Sequence, residues 1–314
     1  MTHAAIGIVV VTYNSESHIG ACLEAAAEAG AEVVVVDNAS QDGTREEVIR
    51  RGVRLIANAE NRGFAAAVNQ GIRAMTTPFV LLLNPDAVIQ EGVDELRRCC
   101  ERPGIGGAGG KLVDGGGKPQ VGFMVRRFPS PGALVFEALL LNRLWPRNPV
   151  NWHYRCFGLD YAGEMEVEQP AGAFLMLRRD LWEKLGGFDE GFCPAWFEDV
   201  DFCLRARTAG YHMWYTPKAV AKHTGGHSLP RVAVEIRTLY WYCSFLRYAA
   251  KHFRPWEGRV VSLAVLIGSW LRMVAGIAGS LSLKPIAVYG RVMRLACRCF
   301  VSGRWDGSAV PFSL

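Results

Sequence analysis

The chain opens with four apolar runs, each followed by a polar stretch. Ile6 to Val11 (IGIVVV), Val33 to Val36 (VVVV), Val53 to Ala57 and Phe79 to Leu83 (FVLLL) show almost no polar alternation. Continuous runs of this kind fit strands buried on both faces, as in a parallel sheet. Helical stretches separate them. One runs from an Asn14 or Ser15 cap to about Ala29, one follows Asp42-Gly43-Thr44, and one leads from Phe64 through Ala74. Strand and helix in alternation predict βαβ units and a mostly parallel central sheet with flanking helices. Each strand ends in polar residues, so one sheet edge collects Thr12, Tyr13, Asp37, Asn38, Asn61 and Asp86. In open α/β sheets ligands bind at that edge.

The Phe79 run stops at Asn84-Pro85-Asp86. Pro85 lacks a backbone donor and biases Asn84 toward an extended conformation, which ends the strand and leaves Asp86 at its carboxyl end. A carboxylate there suits a hard divalent cation bridging phosphates. An Asx turn capping a following helix would account for it as well. Asp37 would accept from a pyrimidine N3–H or a ribose hydroxyl, and Tyr13 offers a stacking face. Loop capping explains each of these singly; four such strand ends together are harder to explain that way.

Further along, Gly104 to Gly109 matches the spacing GxGxxG but follows a helical stretch and Pro103, and Lys111 to Lys118 after it is turn-like. The motif counts only between a strand and a helix, so no dinucleotide site is expected, only a flexible strand-and-turn segment. Gly122 to Glu168 is rich in aromatics and prolines and reads as a long, partly mobile excursion over the active face. Pro170-Ala171-Gly172-Ala173 is small enough for a ligand to approach closely. A strand Phe174 to Leu177 and a helix Arg179 to Leu185, ended by Gly186-Gly187, follow.

Trp196-Phe197 then precede Glu198-Asp199-Val200-Asp201 and a helix to Ala209. Acids are favoured in a first helical turn. Three acids in four residues beside two aromatics also fit a general base flanked by aromatic acceptor platforms. Gly172, Ala173, Trp196, Phe197 and Glu198 are the acceptor-side candidates. The helix dipole and a nearby cation should lower the pKa of Asp199. A strand Trp214 to Thr216, ending near Pro217, leads to Lys222-His223-Thr224-Gly225-Gly226-His227. His223, at a strand end before two glycines, is the candidate to complete a metal site begun by Asp86, with His227 a weaker one.

Composition adds compartment and partner. The 314 residues, half of them hydrophobic, suffice for one large domain and an appendage. Nine cysteines without a Cys-x-x-Cys pair point to free thiols in a reducing cytosol. No secretory leader is expected, because the first strand starts at Ile6. From Arg231 onward there are 12 Lys or Arg against 3 acids, +9; the first 230 residues hold 23 against 27, −4. An acidic body with a basic, hydrophobic tail suggests an anionic membrane surface and no nucleic acid. Domains are expected at 1–230 and 231–314. The tail holds an aromatic helix, Val232 to Phe253, then Val260 to Leu283, 24 residues and long enough to span a bilayer. A central Arg272 would cost ~3 kcal/mol there, and glycines at 268, 276 and 279 can bend the segment. An interfacial segment is therefore favoured over a full span, with a core helix pair left open.

In order, Val10-Val11-Thr12-Tyr13-Asn14, Val36-Asp37-Asn38-Ala39-Ser40 with Asp42-Gly43-Thr44, Asn61-Arg62-Gly63-Phe64 with Asn69 and Gly71, Leu83-Asn84-Pro85-Asp86-Ala87, Gly186-Gly187-Phe188-Asp189-Glu190 and Glu198-Asp199-Val200-Asp201 with Arg205 resemble the inverting family 2 glycosyltransferases of GT-A fold. The resemblance covers about Ile6 to Ser228 and is nearest the bacterial rhamnosyltransferase-like branch. The wider family has Asp-x-Asp where this chain has Asn84 and Asp86, which makes His223 more necessary. The resemblance implies a nucleotide-diphosphate sugar donor, touched by Thr12, Tyr13, Asn14, Asp37, Asn38, Asn61, Gly63, Phe64, Asn69, Asn84 and Asp86. It implies Mg²⁺ or Mn²⁺ on Asp86 and His223, and Asp199 as base. Rhamnose from TDP-rhamnose is the favoured donor, with a lipid-linked or cell-envelope saccharide as acceptor, by a peripheral protein on the cytoplasmic face of the membrane. A galactofuranosyl or other hexosyl transferase, or a catalytically silent nucleotide-sugar binding protein at the membrane, are the alternatives. A homo-oligomer is left open.

Overall fold

The structure, a computed structural model, describes residues 5–225, 234–280 and 284–305. It divides into two compact units that are not contiguous in sequence: 1–128, 155–190 and 198–231 form the first, and 129–154, 191–197 and 232–314 the second.

In the first unit the apolar runs form buried strands. These are β1 (Ile6–Thr12), β2 (Glu32–Asp37), β3 (Arg54–Ala57) and β4 (Phe79–Leu83), joined by helices α1 (Glu16–Glu28), α2 (Thr44–Arg50) and α3 (Phe64–Arg73). All seven β1 residues are buried, as two-sided coverage requires. α1 buries Ile19, Cys22, Leu23 and Ala26, but the side chain of its Ser15 cap accepts no bond from a helix amide; the hydroxyl donates to Tyr13 O at 3.4 Å.

The chain continues through β5 (Ala87–Glu91), α4 (Val93–Cys100), β6 (Ile105–Val113) and β7 (Val125–Arg126). After the second unit's α5 (Pro131–Ala138), α6 (Leu141–Leu144) and α7 (Pro149–Tyr154) come β8 (Met165–Val167), β9 (Gln169–Pro170), β10 (Phe174–Arg178), α8 (Arg179–Lys184), α9 (Glu198–Thr208) and β11 (His212–His223). The nine-stranded sheet has the order β3-β2-β1-β4-β10-β6-β11-β5, with β8 also on β11.

That sheet is mixed, not mostly parallel. β1, β2, β3 and β4 pair in parallel, and so do β6 and β11, but β10 runs antiparallel to both β4 and β6, and β11 antiparallel to β5 and β8. The four apolar runs, joined as three βαβ units, forecast only the first half. The glycines at 106–110 are not a flexible segment; they lie in β6, in the middle of the sheet. A Cβ on Gly107 would come 2.8 Å from Met176 O, so glycine lets β6 and β10 close. Pro217 does not end its strand either. β11 runs on to His223, and the register shift between Thr216 and Val220 absorbs the proline.

The second unit holds α5, α6 and α7, where a partly mobile excursion was expected, together with α10 (Val234–His252), α11 (Pro255–Ser280) and α12 (Lys284–Ser302). α11 stays helical through Gly268 and Gly276. Gly268 lets it approach Ala138 O of α5, and Arg272 donates to that same carbonyl at 2.5 Å and to Glu137 O at 3.2 Å. The central arginine thus serves the fold of this unit. Pro255–Ala278 is the one helical stretch among the described residues long and apolar enough to cross a membrane, by length and composition only.

Candidate active site

Three corners of the sheet edge carry the chemistry. At the first, β1 and β2 end side by side, Thr12 opposite Asp37. The Asp37 carboxylate is wholly buried. It accepts from Thr12 Oγ1 (2.9 Å), the Ser40 amide (3.0 Å), the Ser40 hydroxyl and Arg45 Nε (2.5 Å). A carboxylate offers about four acceptor positions, and four donors fill them. These bonds fold the loop 38–45 around Asp37, the residue expected at the base or ribose.

Its neighbours do similar work. Asn38 donates to Gly63 O (3.1 Å) and accepts from Asn58 (3.0 Å). Asn14, in the left-handed region at φ 52°, gives its amide to Ser40 Oγ and accepts from the Gln41 amide, both at 2.8 Å. Asn61 accepts from the Gly63 amide (2.9 Å), which turns the chain into α3 at Phe64. Tyr13 and Phe64 are half-buried and carry the aromatic faces of this corner.

Asn69 organises its surroundings in the same way. It is buried on α3 and fills all four of its hydrogen-bonding positions. Its amide nitrogen donates to Phe188 O (2.9 Å) and Glu190 Oε1 (3.0 Å), and its oxygen accepts from Trp182 Nε1 (3.0 Å) and the Phe188 amide (2.9 Å). It clamps the turn after Gly186-Gly187.

The second corner is Asn84-Pro85-Asp86. Instead of capping a helix, Asp86 leads directly into β5, which pairs antiparallel with the end of β11 and places Ala87 opposite His223. That register brings the two expected ligands together: Asp86 Oδ1 lies 3.5 Å from His223 Nε2, with both side chains almost fully buried. Asn84 Nδ2 also lies 3.5 Å from Nε2. On its other side His223 Nδ1 faces Gln120 Oε1 at 3.0 Å, and the ring stacks on Phe123 at 5.1 Å and 8°. Among the described residues no cluster of three or more His, Cys, Asp or Glu suited to a metal occurs. Two protein ligands nevertheless fit Mg²⁺ or Mn²⁺, which bind through one or two protein groups and take the rest from phosphates and water. A 3.5 Å gap is within reach of one ion with bonds of ~2.1 Å. His227 lies outside the described residues.

The third corner is the start of α9. Asp199 Oδ2 accepts from the Gly172 amide (3.0 Å) and Gln169 Nε2 (3.1 Å), and Oδ1 from the Val200 amide (2.8 Å). These bonds favour the carboxylate, but burial outweighs them and raises the Asp199 pKa. The expected lowering is thus reversed, because desolvation exceeds what the Gly172 and Val200 amides return. Glu198 is raised well above the carboxylate range, chiefly by burial, with Asp199 and Asp201 adding to it. Asp201, fully buried, holds Arg205 at 2.8 Å, and Arg205 donates to Leu185 O and Gly187 O. The second and third corners are joined by backbone: the Asn84 amide donates to Ala173 O (3.0 Å), one residue from the Gly172 amide on Asp199.

Trp196 and Phe197 belong to the second unit, where Phe197 packs on Phe245 and Tyr248 of α10. Gln120, Phe123, Gln169 and Arg45 escaped the sequence reading. Only their partners distinguish them, and those partners are distant in sequence, except around Asp37.

The mixed sheet, with the Asp86–His223 pair and Asp199 at one edge, is a sheet of GT-A type. Residues 7–184 match the family model described as Glycosyl transferase family 2, and the chain belongs to that family. It is 30% identical over 270 residues to the N-acetylglucosaminyl-diphospho-decaprenol L-rhamnosyltransferase of Mycobacterium tuberculosis, covering 80% of this chain and 86% of that one. It is 24% identical to the pre-mycofactocin glycosyltransferase of the same organism, over 98% of this chain and 61% of the other. Among solved structures, a mannosyltransferase from Pyrobaculum calidifontis in complex with GDP-Man and Mn²⁺ superposes with a TM-score of 0.52 at 18% identity, over 96% of this chain and 88% of that one. S. aureus TarS does so at 0.54 and 16%, over 95% and 49%. Both share the fold.

Proposed function

We propose that this glycosyltransferase is metal-dependent and inverting, and moves L-rhamnose from TDP-rhamnose to a polyprenyl-diphosphate-linked saccharide at the cytoplasmic face of the cell membrane. The observation that carries the reading is the Asp86–His223 pair, linked through Asn84, Ala173 and Gly172 to Asp199. The choice of sugar and acceptor follows the 30%-identical mycobacterial rhamnosyltransferase.

Asp86 and His223 would hold the cation, with Asn84 beside it. Bound there, such an ion would supply neutralisation of the charge on the departing nucleoside diphosphate. Asp199 takes the proton of the acceptor hydroxyl as its oxygen attacks the anomeric carbon. The new C1–O bond forms on the face opposite the leaving group, the old C1–O bond breaks, and its electron pair leaves on the β-phosphate oxygen. The anomeric configuration is inverted. The Gly172 amide and Gln169 orient the Asp199 carboxylate. Asp37, Asn38 and Asn14 act one step back, by holding the loops from which Tyr13 and Phe64 would meet the base and ribose.

The membrane reading rests on α11. Trp256, Val260, Leu263, Ile267, Trp270 and Val274 are exposed at steps of three and four, so they form one apolar stripe. Arg259 flanks it, and exposed Lys284, Arg291, Arg294 and Arg298 follow on α12. Apolar rings with basic neighbours suit an anionic bilayer surface.

A donor panel of TDP-rhamnose, UDP-galactofuranose and UDP-hexoses, scored for nucleoside diphosphate release and for the product's anomeric configuration by NMR, tests the reaction. TDP-rhamnose with inversion is expected. Turnover confined to another donor would overturn the sugar assignment, and retention would overturn the mechanism.

A further inference from the structure

The segment between β6 and β7 has no part in the chemistry described above, yet it touches His223 twice. Gln120 Nε2 donates to the His223 carbonyl at 2.7 Å, and Gln120 Oε1 lies 3.0 Å from His223 Nδ1. A backbone carbonyl only accepts, so the amide end facing it is the nitrogen. The other end is then the oxygen, which also only accepts, so Nδ1 carries the ring proton. In the neutral ring Nε2 is left with the lone pair, and Nε2 is the atom turned toward Asp86 Oδ1 and Asn84 Nδ2.

The support under Gln120 is itself fixed. Its amide donates to Leu112 O of β6 at 2.9 Å, and its carbonyl accepts from the Phe123 and Met124 amides at 3.0 Å each. Phe123, held by that turn, lies flat against the imidazole. One short turn therefore sets the tautomer of His223, its backbone position and the plane of its ring. A histidine that binds metal through one nitrogen depends on the hydrogen bond at the other for orientation and tautomer.

We propose that Gln120 is the positioning residue that makes His223 a metal ligand, with Phe123 holding the plane of the ring. This rests on the reading of Asp86 and His223 as the cation site. It names residues that carry no motif and lie about a hundred positions from the histidine they orient.

The test uses the full chain in two measurements. The first is ¹⁵N NMR of histidine-labelled protein without metal, with the His223 signal assigned by His223→Ala. Wild type should show the proton on Nδ1, and Gln120→Leu should shift the ring toward Nε2–H. The second is Mn²⁺ binding in the presence of TDP, followed by electron paramagnetic resonance. Gln120→Leu should weaken it by ~10–100-fold, the usual effect of losing an outer hydrogen-bond partner. Gln120→Glu keeps an acceptor opposite Nδ1 and should retain the tautomer and most of the affinity; it also serves if Gln120→Leu does not fold.

A wild-type proton on Nε2 overturns the proposal. So does a Gln120→Leu protein with unchanged tautomer and Mn²⁺ affinity while His223→Ala is weakened. If Asp86→Ala and His223→Ala both bind Mn²⁺ as wild type does, the cation-site reading fails instead, and the tautomer alone then decides the role of Gln120.

Discussion

Asn69 separates a binding role from a folding role. Its four hydrogen bonds tie α3 to the turn at Phe188 and to Trp182. Asn69→Leu keeps the heavy-atom count and the branching at Cγ and removes all four. Glu190 is partly exposed and can turn to water, but the Phe188 amide and Trp182 Nε1–H are buried and lose their acceptor. Each buried donor left unpaired costs ~1–3 kcal/mol, so the two together should cost about 2–6 kcal/mol, and the orphaned Phe188 carbonyl argues against the low end. At roughly 2–4 °C per kcal/mol for a unit of this size, the thermal midpoint should fall by about 10 °C. Donor affinity, measured by calorimetry with TDP well below the new midpoint, should change little. A variant with the wild-type midpoint that has lost donor affinity would refute the assignment of Asn69 to the fold.

Three further outcomes follow from the same geometry. The Asp199 pKa is raised by burial, and the ionised form is the base, so kcat should fall as pH drops through a value above the ordinary carboxylate range near ~4; an acidic limb at or below ~4 would contradict the shift. Glu198 is raised well above its ordinary value, so the folded state holds its proton more tightly than the unfolded chain. Its stabilising contribution is full below the unfolded pKa and lost as pH rises through the folded one, and Glu198→Gln should therefore raise the thermal midpoint at neutral pH with the gain closing in acid. Leu263→Glu with Ile267→Glu should abolish flotation with anionic liposomes; if wild type itself stays soluble beside such vesicles, the membrane reading fails.

What could be read from sequence and what could not divide along a physical line. β1, β2 and β4 were legible because strands buried on both faces leave an unbroken apolar run, and Asp86 and His223 were legible as polar residues at strand ends. The pairing that joins them was not. β5 is a five-residue strand, two of whose residues are exposed, which reads as a helix start, and β11 hides a bulge behind Pro217. The Asp199 shift was misjudged because the helix-end amides are local in sequence while burial is tertiary. Asp37 and Asn69 show the third kind of gap. Their residue types announce hydrogen bonding, but only the folded chain shows that Thr12, Ser40 and Arg45, or Trp182 and Phe188, have already taken it.

The most direct test of the mechanism is turnover of Asp199→Asn beside Asp201→Asn, with TDP-rhamnose as donor. Asparagine keeps the shape of the Asp199 side chain and removes its basicity. kcat should fall by roughly 10²–10⁴, the usual worth of a general base, with donor affinity retained. Asp201→Asn weakens the Arg205 ion pair and should lower the thermal midpoint more than it lowers kcat. An Asp199→Asn enzyme turning over near the wild-type rate, while Asp201→Asn or Glu198→Gln is inactive, would place the base on another carboxylate and contradict the account.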